Sequence, residues 1–458
     1  MVSIYDRVRP NGIIAYTSGR GGQYDIWLFY IHNGTRIKLT NGLADSFSKP
    51  VWSGDNSKIA FIGQNRIIYV IYLSTGKIAA IDQIGPNEDL TLDWSPNSRE
   101  IAYTTRNHIM MYDVLSHRST SISAQGASQP QWFPSGRELL FQGVDTSGKQ
   151  QLFRIAINGT VSRQLTNNTE GPLHDVSLSP DGTFVLYTTP GASISLIRTI
   201  DLSTGKIYEM KGGEQAKNFY PAWAPNSQLI AFSATAYTEG NGYYNEIRVV
   251  EKRGDNERVL TTSTCFATPV TWSPDGRIIA YLSGCSEQGF ATEIWMVDVQ
   301  NPTPVMLTRD SLIGNVSWSS GNDLPTIGFF KNEMYRIQLY YPSNWKQVDA
   351  ERYEGENGFF QISAIGGGDD IHEVCKGEAY HKLMPYGSSP HVYQTRIRGQ
   401  EACLIYPSAD QPPEMKRQAA AIVKYPTPVQ IEGSTYHYFI LWADENHLHS
   451  IARTITFL

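Results

Sequence analysis

One phrase recurs along the first two thirds of this 458-residue chain and leaves it few folds to choose from. It consists of an aromatic or apolar residue, a Ser-Pro-Asp-Gly-like turn and an apolar strand. It reads WSGDNSKIAF from Trp52, WSPNSREIAY from Trp94 and WFPSGRELLF from Trp132. It continues as LSPDGTFVLY from Leu178, WAPNSQLIAF from Trp223 and WSPDGRIIAY from Trp272. RPNGIIAY from Arg9 is a partial copy, and VSWSSGN, ending at Asn322, is a fragment. Successive copies from Trp52 to Trp318 lie 38 to 49 residues apart. Each unit goes on with a second strand (DIWLFYI, IIYVIYL, HIMMYDV, QLFRIAI, EIWMVDV), a polar turn and often a Leu-Thr ending. Short segments rich in Ile, Val and Tyr, bounded by Gly, Pro, Asn or Asp, are strands joined by tight turns. Four such strands per unit predict a β-propeller blade.

The turn phrase is visible at Pro10, Gly54, Pro96, Pro134, Pro180, Pro225 and Pro274, whereas Trp318 opens only an inner strand. Pairing Val316–Ser319 with Ile13–Thr17 in one shared blade closes a seven-bladed ring with no open edge. Six or eight blades are the alternatives, the eighth reading PTIGFFKNEMYRIQLYY as a degenerate unit. The domain boundary is placed between residues 322 and 323. Beyond it the Trp phrase stops, and residues 323–458 read as a small α+β domain. Its helices are expected over Asp370–Leu383 and along PEMKRQAAAIVKY, and strands along TYHYFILWAD and HLHSIARTITF.

The phrase WSPDGRIIAY…EIWMVDV…LT resembles the repeat of the TolB-like proteins, WD-repeat-like β-propellers of the bacterial envelope. The resemblance runs over residues 9–320. It implies an extracytoplasmic, non-catalytic binding or scaffold protein. TolB is a six-bladed ring with its own N-terminal domain, so this chain departs from it by a blade and by carrying its extra domain at the other end. That argues against carrying over a Tol–Pal-type partnership. YRIQLYYPSNW and IARTITF resemble the PsbP-like family, whose domains are binding or assembly factors.

Composition narrows the function. Charged residues make up 18%, and the net charge is −6 with no dense basic cluster, so no nucleic-acid partner is expected. The longest apolar run, Ile67–Leu73, is far short of a membrane span. MVSIYDRV lacks the apolar run of a signal peptide, so the chain is either cytoplasmic or has lost a targeting segment. Four cysteines allow three pairings. Local pairs, Cys265 with Cys285 and Cys375 with Cys403, fit an oxidising compartment, and four separate buried thiols are the alternative. A monomer is expected.

In each blade, strand one runs to the Ser-Pro-Asp-Gly turn at one rim. The loop between strands two and three and the link to the next blade therefore share the other rim, here called the top. Top loops are long at Gly19–Asp25, Ala234–Glu246 and Ser283–Glu293. Glycine gives adaptable backbone and tyrosine rigid amphipathic contact area. A binding patch of Arg20, Tyr24, Tyr237, Tyr243, Tyr244 and Phe290 is expected there, with mutual packing of the loops as the alternative. The same geometry places Cys265 and Cys285 together at the top rim.

Catalytic motifs were sought. There is no GxSxG elbow, HExxH, P-loop or dinucleotide fingerprint, and SxxK at Ser46 and Ser343 falls in turn-like contexts. Six of ten histidines lie in the second domain, and His447 and His449 would share a strand face. No carboxylate or cysteine is spaced to complete a metal site, and the acidic string Gly366–Asp370 fits a helix cap as well as a cation loop. No cofactor and no metal are expected. The reading is a binder of an envelope protein or peptide through the propeller face. Its rivals are a carbohydrate-binding surface protein and a hydrolase or metal-dependent enzyme seated in the C-terminal domain.

Overall fold

The computed structural model describes residues 12–458 except 32–33, 75, 107, 124–125, 160, 170, 191–194, 211–216, 239–241, 286–288, 320–326, 343–344, 356–357, 368–369 and 453. The side chains of residues 123, 190, 236, 238, 242–244, 327 and 450 also lie outside the description. The Pro10 turn and the expected boundary at residues 322 and 323 therefore fall outside it. Two compact units result, residues 1–71 with 79–322, and residues 323–458 with 72–78.

In the first unit the ladders group the described strands into seven four-stranded antiparallel sets. Blade 1 spans residues 51–83, blade 2 92–123, blade 3 128–164, blade 4 174–210, blade 5 217–263 and blade 6 270–308. Blade 7 joins both ends of the unit. The long strand Val305–Trp318 leaves blade 6 and pairs with Ile13–Ser18, matching Ile14 with Trp318 and Tyr16 with Val316. Asp25–Tyr30 and Thr35–Lys38 complete that blade.

The repeated turn has a local reason to form. Ser53, Ser95 and Ser179 Oγ each donate to the side-chain oxygen two residues on, Asp55, Asn97 and Asp181, at 2.6 Å. The same oxygens accept the N–H of Lys58, Glu100 and Phe184 as strand two begins. The fourth turn residue sits at positive φ, as Asn56, Ser98 and Ser227 in three blades and Gly136, Gly182 and Gly276 in three others. Glycine takes that conformation without a Cβ penalty.

The tryptophan of the phrase holds one blade to the next. The indole N–H of Trp94 donates to Val51 O at 3.1 Å, Trp223 to Ser177 O at 3.2 Å, Trp272 to Ala222 O at 3.0 Å and Trp52 to Ser317 O at 3.3 Å. Each acceptor directly precedes the equivalent residue of the preceding blade. At the other three seams the side chain of that preceding residue reaches a main-chain N–H of the next blade. Asp93 accepts from Trp132 N at 2.7 Å, Gln131 from Leu178 N at 2.8 Å and Thr271 from Trp318 N at 3.1 Å.

The second unit is built on a seven-stranded antiparallel sheet. Its spatial order is Lys346–Gln347, Arg352–Gly355, Gly358–Ile365, Ser434–Asp444, Gln418–Ile431, Gln400–Tyr406, His391–Ile397. Helix α1, Ile371–Ala379, packs on one face through Ile371, Cys375 and Ala379. It starts where Asp370 accepts the N–H of His372, so the acidic string ends in a helix cap. Residues 368–369 of that string are outside the description. Helix α2, Leu448–Ala452, packs on the other face. A three-stranded sheet of Ile327–Asn332, Ile337–Pro342 and Thr456–Phe457 completes the unit.

Three expectations are corrected here. PEMKRQAAAIVKY is not a helix but a short 3₁₀ turn, Pro413–Met415, followed by the strand Gln418–Ile431. That strand is central in the sheet. Ala419, Ala421 and Val423 enter one core while Ala420 and Ile422 enter the other, so both faces are apolar and helix propensity yields to burial. The first expected helix stops at Ala379 rather than Leu383. HLHSIARTITF opens as helix α2 rather than as a strand, so His447 and His449 do not alternate on a sheet face. His447 is instead buried, with Nδ1 2.8 Å from Asp444 Oδ1 and the ring edge-on to Trp345.

Both local cysteine pairs are disulfides, Cys265–Cys285 and Cys375–Cys403. Among the described residues no helix is long and apolar enough to cross a membrane.

Two predictions follow from the seams and the bridges. Trp94→Phe removes the donor to Val51 O, whereas the Trp132 indole N–H has no partner among the described residues. Both substitutions lose ring area, but Trp94→Phe should cost about 1 kcal/mol more than Trp132→Phe, read from denaturant melts of the two variants. The disulfides close loops with separations of 20 and 28 residues. Replacing either pair by alanines should destabilise its own unit by about 3 kcal/mol, measured as a lowered thermal transition that added reductant reproduces in the wild type.

Candidate functional site

The chain brings some of the expected top-face residues together. Tyr24, in the loop before Asp25–Tyr30, meets Phe290 of the blade 6 loop with ring centroids 6.5 Å apart. Arg20 is exposed and its guanidinium lies 5.9 Å from the Trp27 ring. It borders a groove of about 680 Å³ with Arg36, Glu293, Arg309 and Asp310. Most of those charges are already engaged. Arg309 pairs with Glu293, Tyr16 donates to Asp310 at 2.7 Å, and Arg36 donates to Arg309 O at 3.0 Å.

The blade 5 segment Ala234–Glu246 differs from expectation. It is not a long loop but the end of a hairpin whose ladder runs out to Thr238 and Gly242. Tyr237 is opposite Tyr243 and Ala236 opposite Tyr244 in that ladder. Tyr237 is exposed, while the side chains of Tyr243 and Tyr244 lie outside the description.

A second constellation occupies the channel at the centre of the ring. The inner strands of blades 1, 2, 3, 4 and 7 line a cavity of about 490 Å³. Lys49, three residues before Trp52, lines it, and Asp175 and Tyr220 hold the same offset in blades 4 and 5. Gln129, Asp175 and Tyr220 take positive φ of 51°, 49° and 49°, each inside a register shift of the inner strand. These are β-bulges, which re-aim a side chain and cluster next to functional sites.

The electrostatics couple these positions. Burial pulls the Lys49 ammonium down from its ordinary value, against the pull of Asp175 and Asp93. The Lys49 side chain is nevertheless exposed to water. Burial pushes the Asp93 carboxyl up to about 6, against the N–H groups of Trp132 and Trp94 and the charge of Lys49. Burial also raises Asp175, whose Oδ2 accepts from Thr188 at 3.0 Å, and it raises Tyr220 together with the Asp175 charge. Lys49 and Asp93 thus line the cavity, and Asp175 lies within electrostatic reach of Lys49. Sequence reading missed them, although the fixed offsets of one and three residues before each Trp position would have found Asp93, Lys49 and Asp175.

His447, one of the two histidines weighed as a rival metal pair, is hydrogen-bonded to Asp444. Among the described residues no three His, Cys, Asp or Glu side chains gather as a metal-binding group.

The Asp93 shift makes a stability prediction. A carboxyl raised in the folded state keeps its proton between about pH 4 and 6 while the unfolded chain has released it. Its contribution to stability is therefore lost as pH rises through that window. Asp93→Asn keeps an oxygen for Trp132 N–H and never ionises. It should be more stable than wild type by about 1–2 kcal/mol at pH 7.5 and equal to it near pH 4, read from urea melts at both pH values.

Residues 50–243 match the family model for the TolB beta propeller domain. Over 151 residues the chain is 30% identical to the TolB homolog of Chlorobium chlorochromatii, a match covering 32% of this chain and 31% of that protein. The chain thus spans about a third of the length of that curated relative. Among solved structures, TolB from Acinetobacter baumannii aligns over 67% of this chain and 81% of its own, at 13% identity and a TM-score of 0.41. Oligogalacturonate lyase from Vibrio parahaemolyticus aligns over 59% and 82%, at 12% identity and a TM-score of 0.48. With the blade repeat and its seams, these matches support a TolB-like β-propeller over the matched blades.

Proposed function

We propose that the chain is a non-catalytic, extracytoplasmic binding protein whose propeller, ending near residue 322, takes a protein or peptide partner of the cell envelope at the top mouth of its channel. The observation that carries this reading is the charged set Lys49, Asp93 and Asp175 inside the ring. Lys49 and Asp175 are exposed to water, while burial raises the Asp93 carboxyl and works against folding. A partner segment that brings a carboxylate to Lys49 or a cation to the two aspartates would offset that cost. The two disulfides support an oxidising compartment. The TolB-like blades support an envelope role by analogy, and the C-terminal domain, PsbP-like in its motifs, would supply a further contact.

The test is crosslinking capture from the native envelope, identification of the partner, and titration with that partner purified. Lys49→Met and Asp175→Asn should each weaken binding by about tenfold or more, about 1.4 kcal/mol, with unchanged melting. Equal affinity of both variants and wild type would exclude the channel mouth. Loss on Tyr243→Ala with Tyr244→Ala, and not on the channel variants, would move the contact to the blade 5 hairpin.

A further inference from the structure

A cleft of about 920 Å³ lies between blades 5 and 6, and it shares no lining residue with the channel cavity. Among the described residues its lining contains no Asp, Glu, Lys, Arg or His. It is made instead of hydroxyl and amide groups, Thr235, Asn245 and Thr262 among them, set beside the aromatic rings of Phe266, Tyr281 and Trp295. Asn245 is 2% exposed. Its Oδ1 takes hydrogen bonds from Ser233 and Thr235 Oγ, both at 3.1 Å, and its Nδ2 has no partner among the described residues. Exchanging the amide O and N would let Nδ2 donate to those hydroxyls and leave Oδ1 open, so either assignment leaves one buried polar atom unmet beside the cleft. A buried amide atom without a partner costs free energy that a ligand or water returns.

The walls are also fixed in place. The Cys265–Cys285 disulfide fastens the segment that carries Phe266, and Thr264 Oγ1 accepts the N–H of Gly284 at 2.8 Å across the same rim. The Trp295 indole donates to Glu293 Oε2 at 2.8 Å, which holds its ring. Phe266 is exposed at the edge, packed on Phe219 with centroids 5.2 Å apart.

We infer that this cleft is a binding site for a neutral carbohydrate, a ligand whose hydroxyls meet the Thr and Asn groups while its C–H faces lie on the aromatic rings. An anion would find no cation in the lining, and a cation no carboxylate. A wholly apolar ligand would leave the amide atom and the hydroxyls unpaired. A sugar answers both halves of the lining, and the volume falls in the usual range of small-molecule sites. The inference does not depend on the channel reading.

The test uses the full chain, with maltotriose, cellotriose and tri-N-acetylchitotriose as probes and trialanine amide as the peptide control, followed by tryptophan fluorescence and calorimetry. At least one sugar should bind and perturb the fluorescence. Trp295→Ala should weaken that binding by about tenfold or more. Thr262→Val, an exposed position, should weaken it severalfold without shifting the melting transition, and Lys49→Met should leave it unchanged. Absence of binding by all three sugars at about 10 mM would overturn the assignment. So would binding that survives both cleft variants, or binding of the trialanine amide alone.

Discussion

Everything in the first unit depends on how one blade is fastened to the next. Each four-stranded sheet has an inner strand with an unpaired edge, and a buried carbonyl left there costs free energy. The Trp phrase solves this and the packing problem together. The ring fills the space between two sheets, and its N–H reaches the carbonyl just before the neighbouring blade's own Trp position, as from Trp94 to Val51 or Trp272 to Ala222. A non-directional apolar contact would let the sheets slide. The single directional bond sets their register, and repeated around the ring it sets the closure.

The alternative bridge is the more informative one. Where the preceding residue is Asp93, Gln131 or Thr271, its side chain reaches over to the main-chain N–H of the next blade. At the blade 2 to blade 3 seam the indole of Trp132 is then left without a partner among the described residues. An aspartate at this position is a costly way to make a bond that threonine makes elsewhere, because its charge must be desolvated. The cost falls at the place where Lys49 also faces the channel. A local rule broken with no gain in packing is the usual mark of a position kept for another purpose.

How much of this could be read from residues alone follows from the same physics. The blades were legible because each repeats a turn with its own hydrogen bonds and a large aromatic at a fixed offset. The shared blade of Ile13–Ser18 and the end of Val305–Trp318 was legible because the fragment at Trp318 lacked what the N-terminal copy supplied. The second unit was harder. Gln418–Ile431 runs with apolar side chains on both faces, so its period carries no signal and its alanines read as helix. The helix at Leu448–Ala452 is a single short turn of chain between strands, too brief to impose a period. The blade 5 hairpin misled for the opposite reason. Glycine and asparagine suggested a loop, but the pairing of Tyr237 with Tyr243 lets the ladder extend into it.

The two candidate sites differ in what the fold had to give up for them. The channel set is built from inner-strand positions three and one residues before the Trp, where bulges and left-handed residues such as Asp175 and Tyr220 bend the strand edge. Burial there makes protonation of Asp93 depend on what else enters the channel. A cationic group brought close would restore its ionised form, so occupancy and charge are linked at that mouth. The blade 5 to blade 6 cleft carries no such linkage, because nothing in its lining titrates near neutrality and its one unmet atom is an amide. Changing pH between 5 and 8 should therefore separate the two surfaces, moving recognition at the channel and leaving the cleft unaltered.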